Sequence, residues 1–148
     1  MNEQAAQMWD EYATATGASG EYTAWAFGSG PEMADELARL VVAGPKRATA
    51  GLLTEYETEG EPLPQVGDHS IILGGGGEPI CIIRTTWVDL CAWGDVDDRF
   101  AYDEGEGDRT LAWWKDAHSR FYQRLGHAVN DQSTMVLERF DLVWPTPG

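Results

Sequence analysis

Two β-branched runs, Ser70-Ile71-Ile72-Leu73 and Pro79 to Val88, stand on either side of Gly74 to Gly77 and Glu78. Ile and Val favour a pleated, half-buried surface, and glycines between two such runs supply a turn, so the segment predicts a β-hairpin. This hairpin commits the chain to a sheet that the helical stretches around it must cover. A glycine run can also cradle phosphate, but that use requires a strand leading through a Lys-Ser/Thr pair into a helix, which is absent here.

The helical stretches are legible from periodicity. Met8, Trp9 and Tyr12 lie at helical spacing within Ala5 to Thr14, with Gly17 and Gly20 closing the segment. Ser29-Gly30-Pro31-Glu32 starts a second helix, because Pro suits the first turn and an acid there complements the helix dipole. Met33, Leu37, Leu40 and Val41 form its apolar stripe, and Gly44 is the stop. Leu52 to Tyr56 predicts another helical turn or two, and Asp95 to Ala101 a short helix. Tyr102 to Asp108 reads as an acidic loop leading into a helix from Thr110 to about Leu125. Alternation from Thr134 to Val143 predicts a final strand, ended by Pro145 and Pro147. Segregated strands with helices around them predict an α+β fold, a small mixed or antiparallel barrel with flanking helices.

The chain has 148 residues, the size of one compact domain, and 17 glycines and 7 prolines that punctuate short elements without forming a repeat. Ten basic against 25 acidic residues give a net charge of −15. Such a field repels polyanions, and duplex DNA, which is bound by neutralising phosphates, is excluded as a partner. No apolar run of about 18 residues and no basic segment followed by an apolar stretch occurs, so a cytoplasmic location without a membrane span is expected. Cys81 and Cys91 lack metal or redox spacing and read as small hydrophobes.

Chemistry can reside in two places. Lys46 and Thr49, three apart, share one side on a helical turn or tight loop but not on an extended strand, so a bend is required here, and the flanking Gly44, Pro45 and Gly51 make it available. An ammonium in a partly apolar pocket has a depressed pKa and can take a proton from a hydroxyl; the alternative is a solvated lysine and a capping threonine. The second place is Asp103, Glu104, Glu106 and Asp108, whose mutual repulsion should raise at least one pKa, and which could hold Mg²⁺ or Mn²⁺. The alternative there is an acidic helix entry capped by Asp108. His69, His118 and His127 show no zinc spacing, and His118 with Phe121 and Tyr122 reads as packing on one helix face. Trp25, Phe27, Trp87 and Trp93 are aromatic faces able to stack a nucleobase, with core packing as the alternative.

Residues 44–50, Gly-Pro-Lys-Arg-Ala-Thr-Ala, resemble the Gly-x-Lys-x-x-Thr signature of the ASCH family, a PUA-like group. The resemblance continues through Tyr56-Glu57, Gly60 to Pro64, Gly67-Asp68, Pro79 to Thr86, Phe100-Ala101, Glu104 to Asp108 and Trp114 to His118, over about residues 23–143. It implies one ASCH domain over 1–148 with an N-terminal helical extension at about 1–20, and a cleft for a nucleoside or RNA. One branch of the family hydrolyses N4-acetylcytidine, and its motif implies Lys46 as base, Thr49 as nucleophile and Glu104 as acid/base, with Glu106 able to replace Glu104. Arg47, Glu106, Trp25 and Phe27 are the expected substrate contacts. Gly51 stands where those enzymes tend to carry an Arg. The expected reaction is removal of an acyl group from N4-acylated cytosine nucleosides, without metal or cofactor. The alternatives are a Mg²⁺- or Mn²⁺-dependent ribonuclease on single-stranded RNA and a non-catalytic RNA-binding module.

Overall fold

The computed structural model describes residues 2–145, and Pro147 lies outside them. The elements run α1 (Glu3–Thr16), β1 (Tyr22–Trp25), α2 (Pro31–Ala43), β2 (Ala48–Leu52), α3 (Leu53–Glu59), β3 (His69–Leu73), β4 (Pro79–Ala92), a 3₁₀ turn (Trp93–Asp95), α4 (Asp98–Glu104), α5 (Leu111–Arg124) and β5 (Thr134–Trp144). The five strands form one mixed sheet in the order β1-β3-β4-β5-β2. Only β1 and β3 run parallel; the remaining pairs are antiparallel.

The expected hairpin is β3 and β4, but β4 continues past Val88 to Ala92 and pairs along its length with β5. Register shifts at Ile82/Ile83 and Thr85/Trp87 let this long strand bend. The sheet does not close into the expected barrel. Its edge strands β1 and β2 do not pair with each other, and a groove is lined by residues of both.

Alternating strand residues cover both faces. Ile71 and Ile82 pack under Ala5, Trp9 and Tyr12 of α1. Ile72, Cys81, Ile83, Phe140 and Leu142 pack with Ala38 and Val41 of α2 and with Phe27. At the other end Ala48, Leu52, Met135 and Leu137 meet Phe100 and Ala101 of α4 and Trp114 and Tyr122 of α5. No described helix is long and apolar enough to cross a membrane.

Two strands differ from the sequence reading. β1 is a half-exposed edge, and β2 is built from Ala-Thr-Ala-Gly-Leu, whose small residues lack strand propensity and are held by the ladder to β5. The acidic segment expected as a loop begins within α4, which is capped at Asp97 through its bond from the Phe100 amide, runs on to Glu104 and is closed by Gly105; the rest, to Asp108, is non-helical.

Candidate functional site

The bend that Lys46 and Thr49 require occurs where α2 stops. Gly44 has φ +121° and its N–H donates to Leu40 O, which also accepts from Lys46 N at 3.3 Å. Arg47 N then donates to Asp103 O at 2.7 Å, tying this turn to α4. β2 begins only at Ala48, so Lys46 sits before the extended stretch, and both Lys46 and Thr49 line one cavity. The close approach depends on Gly105 at φ +70°, where a Cβ would lie 2.4 Å from the Pro45 carbonyl atoms and 2.6 Å from Lys46 N. Any side chain there would push α4 away from the lysine turn.

The Lys46 side chain is 1% exposed. Its ammonium donates to Glu106 Oε2 at 2.7 Å, Ala48 O at 2.9 Å, Glu104 Oε1 at 3.1 Å and Glu104 O at 3.4 Å, and lies 5.2 Å from the Phe27 ring centre. Burial pulls the lysine pKa down, but the charges and hydrogen bonds of Glu104 and Glu106 outweigh it, and the net direction is upward. The depressed lysine expected from the sequence is therefore corrected. At rest Lys46 is an ammonium held between two carboxylates.

Glu104 is equally enclosed. Its Oε2 accepts from Trp114 Nε1 at 2.5 Å and from His118 Nε2 at 2.9 Å. Burial acts to raise its pKa, yet Lys46, His118 and these hydrogen bonds bring it down to about 2. The other nitrogen of His118, Nδ1, lies 2.9 Å from Trp114 O. Both ring nitrogens face acceptors, which requires a proton on each, and burial is again outweighed by Glu104, so the His118 pKa is raised. The cluster thus holds two cations, Lys46 and His118, against two anions, Glu104 and Glu106.

His118 was read from the sequence as packing. The signal that finds it is its place one turn after Trp114 on a helix whose partner is an acidic segment. The expected repulsion among the four acids is also corrected, because every one is partnered, Glu104 and Glu106 by the shared Lys46. Asp103 pairs with Arg99 and Arg139, and Asp108 bonds Thr110 at the start of α5, which lowers its pKa.

The remaining expected contacts divide. Phe27 is buried and lines two adjoining cavities, and Trp25 meets it edge-on at 4.9 Å and lines the larger one. Glu106 lines the smaller cavity and is 16% exposed. Arg47 lines neither, because its Nη1 donates to Val41 O and Lys46 O and so ties down the end of α2. Trp93 packs in the core against Trp114, and Trp87 lies under Arg139. Gly51 leaves room for Tyr56, whose ring carbon Cε2 a Cβ would meet at 3.0 Å.

The smaller cavity, about 370 Å³, contains Lys46, Thr49, Glu104, Glu106 and His118. The larger, about 1030 Å³, runs between the sheet edges. Both are lined by Phe27, Thr49, Ala50 and Tyr122, so they form one groove with Thr49 at the junction.

Glu104, Glu106 and His118 each offer an atom within 4.8 Å of the others, a donor set able to hold a divalent ion. The ammonium of Lys46 already bridges the two carboxylates, and His118 uses both nitrogens within the cluster. A dication added to this balanced set would meet two cations, so the residues fit a metal poorly in this arrangement.

The ASCH domain model matches residues 23–144. An ASCH domain from Lactobacillus crispatus JV V101 has a similar structure, with a TM-score of 0.85, 34% identity, and 97% of this chain and 96% of that chain covered. Protein EF3133 from Enterococcus faecalis V583 is similar at a TM-score of 0.85 and 31% identity, covering 97% of this chain and 92% of that one. Hypothetical protein PH0355 shares the fold alone, at a TM-score of 0.56 and 13% identity over 82% of this chain and 99% of that one. No curated protein matches. With the family model spanning the sheet and the whole Lys46 cluster, the chain belongs to the ASCH domain family.

Proposed function

We propose that this protein is an amidohydrolase that removes the acyl group from N4-acylated cytosine nucleosides. The observation that carries the reading is the convergence of Thr49 and the Lys46–Glu106 pair on one cavity that opens onto a wide, aromatic-lined groove. Thr49 Oγ1 attacks the acyl carbon. Because Lys46 is already protonated, it acts as a relay, taking the Thr49 proton as it passes one of its own to Glu106. The tetrahedral intermediate then collapses, the C–N4 bond breaks, and Glu106 protonates the leaving amine. Water then attacks the acyl-Thr49 ester and gives a proton to Glu106; as the acyl C–Oγ1 bond breaks, that proton returns through Lys46 to Thr49 Oγ1, releasing the acid and restoring the starting state. Lys46 remains cationic throughout and stabilises the developing oxyanion. Glu104, ionised and bonded at both oxygens, positions Lys46 and does not exchange protons with substrate.

A second reading, a divalent-metal-dependent ribonuclease on single-stranded RNA, is favoured by one observation, the proximity of Glu104, Glu106 and His118. The two are separated by assaying N4-acetylcytidine and single-stranded RNA in parallel, with Mn²⁺ and with chelator, for the parent, Thr49→Ala and Lys46→Ala. The amidohydrolase reading expects chelator-insensitive release of acetate and a loss of about a thousandfold or more in both variants. RNA cleavage abolished by chelator selects the ribonuclease. RNA binding with neither substrate turned over selects a non-catalytic module.

A further inference from the structure

The five buried polar or charged side chains among the described residues are Lys46, Ser70, Thr85, Glu104 and Glu138. Two belong to the ion-pair cluster. The other three lie on the sheet, where they join a longer pattern. Thr23, Ser70, Thr85, Glu138 and Thr49 come one from each strand, in the spatial order β1-β3-β4-β5-β2, and all line the larger cavity. Thr23 is the register partner of Ser70, with their hydroxyl oxygens 3.5 Å apart, and Thr49 is the register partner of Glu138. Thr85 Oγ1 donates to Glu138 Oε2 at 2.5 Å.

Sheet residues under a cavity are ordinarily apolar, as Ile72, Ile83 and Phe140 are further along this face. A row of hydroxyls and a carboxyl in their place costs stability unless each is hydrogen-bonded; here they bond partly to one another, and the capacity left over faces the cavity. No buried side-chain oxygen is left without a partner among the described residues, so Glu138 Oε1, which has no protein partner, meets the groove. Burial, against the opposing Thr85 hydrogen bond, raises the pKa of this carboxyl. The larger cavity also carries Glu21, Glu55, Glu59, Glu61 and Asp68 in its lining, and no Lys or Arg. These carboxylates disfavour a phosphate in the larger cavity. The rings of Trp25, Tyr56 and Tyr122 add flat apolar walls, and burial is the main cause of a Tyr56 pKa pushed up to about 12, so that phenol stays neutral.

We infer that the Thr23–Ser70–Thr85–Glu138–Thr49 row is the recognition floor for the uncharged base-and-sugar part of the substrate, that Glu138 reads the base edge, and that the site selects nucleosides over nucleotides. This deepens the amidohydrolase reading, since it delivers a base along the row to Thr49, where the row meets the Lys46 cluster. Glu138 is a specificity-determining residue and exchanges no proton with the acyl group.

The test titrates cytidine and cytidine 5′-monophosphate into the parent protein, Glu138→Gln and Thr85→Val by calorimetry, with thermal unfolding of each variant as the folding control. N4-acetylcytidine turnover is measured separately. The parent should bind cytidine at least about tenfold more tightly than its monophosphate, and either folded variant should lose about tenfold in cytidine affinity, the scale of an unpaired buried polar group. Thr85→Val conserves shape and keeps the test open should Glu138→Gln unfold. Equal affinity for nucleoside and nucleotide, no cytidine binding by the parent, or variants that bind like the parent each overturn the inference. Cytidine binding through the row without N4-acetylcytidine turnover removes the reaction and leaves the recognition floor. Turnover with KM unchanged in both variants does the reverse.

Discussion

Trp114 and His118, one turn apart on α5, stack at a centroid distance of 4.3 Å and aim a ring nitrogen each at the same oxygen of Glu104. Helical geometry brings residues four apart onto one face, so a single α5 turn holds the buried carboxylate from one side while Lys46 holds it from the other.

Removing that carboxylate leaves two buried cations facing one remaining anion. Glu104→Ala should lower the unfolding free energy by about 3–5 kcal/mol, the range for breaking a buried pair from one side. Trp114→Phe, which removes one donor and keeps the ring, should cost about 1–3 kcal/mol. Urea unfolding of both variants checks the order, and a Glu104→Ala cost below that of Trp114→Phe would contradict the placement of Glu104 at the centre of the cluster.

The pH dependence follows from the direction of two shifts. His118 has a raised pKa in the fold, so its stabilisation is complete below the unfolded value of about 6.5 and is lost as pH rises through its folded pKa. Glu104 is depressed to about 2 from 4.5, so its contribution is present above 4.5 and fades as pH falls toward 2. An NMR titration of the His118 ring should show a midpoint above about 6.5. A midpoint below it would mean a neutral imidazole and a different hydrogen-bond direction to Glu104.

Gly105 and Gly126 share a left-handed backbone, φ +70° and +88°, but differ in surroundings. Around Gly126 a Cβ meets nothing within 4 Å, so Gly126→Ala should cost only the backbone strain, about 1 kcal/mol. Gly105→Ala adds a clash with the Pro45 carbonyl and should cost about 3 kcal/mol or more and, under the amidohydrolase reading, lose turnover as Lys46 shifts. Equal Tm shifts for the two variants would show that the α4–lysine contact is not tight.

Under the amidohydrolase reading the two glutamates differ in role. Glu106→Gln should lower kcat about 10²–10⁴-fold, the usual worth of a general acid/base. Its effect on stability should be smaller than that of Glu104→Gln, because Glu106 bonds Lys46 alone and is partly exposed. A Glu106→Gln enzyme with parental kcat would move the proton-transfer role elsewhere.

Periodicity carried the sequence reading through α1, α2, α5, the β3–β4 hairpin and β5, because each has an apolar face that repeats every two or about 3.6 residues. β2 escaped it. Its Ala48, Thr49, Ala50 and Gly51 show no alternation because the strand is set by pairing to a distant β5 and by close packing against helices. The family signature located Lys46 and Thr49, yet the protonation state of Lys46 was misjudged, since a lysine's surroundings at 1% exposure depend on which carboxylates the fold brings to it. His118 and Glu138 were invisible for the same reason: each becomes chemically distinct only through partners on other elements.

The sheet order has a consequence for timing. Thr49 lies on β2, whose sheet neighbour is β5, the last strand in the chain order, and the anions that complete Lys46 lie 58 and 60 residues downstream of it. As the chain emerges from the N-terminus, the hairpin can form early, while β2 waits with a lysine that has no counter-charge. The Thr49 strand is secured only when the final strand docks, so under the amidohydrolase reading recovery of turnover during refolding should lag behind recovery of helical signal.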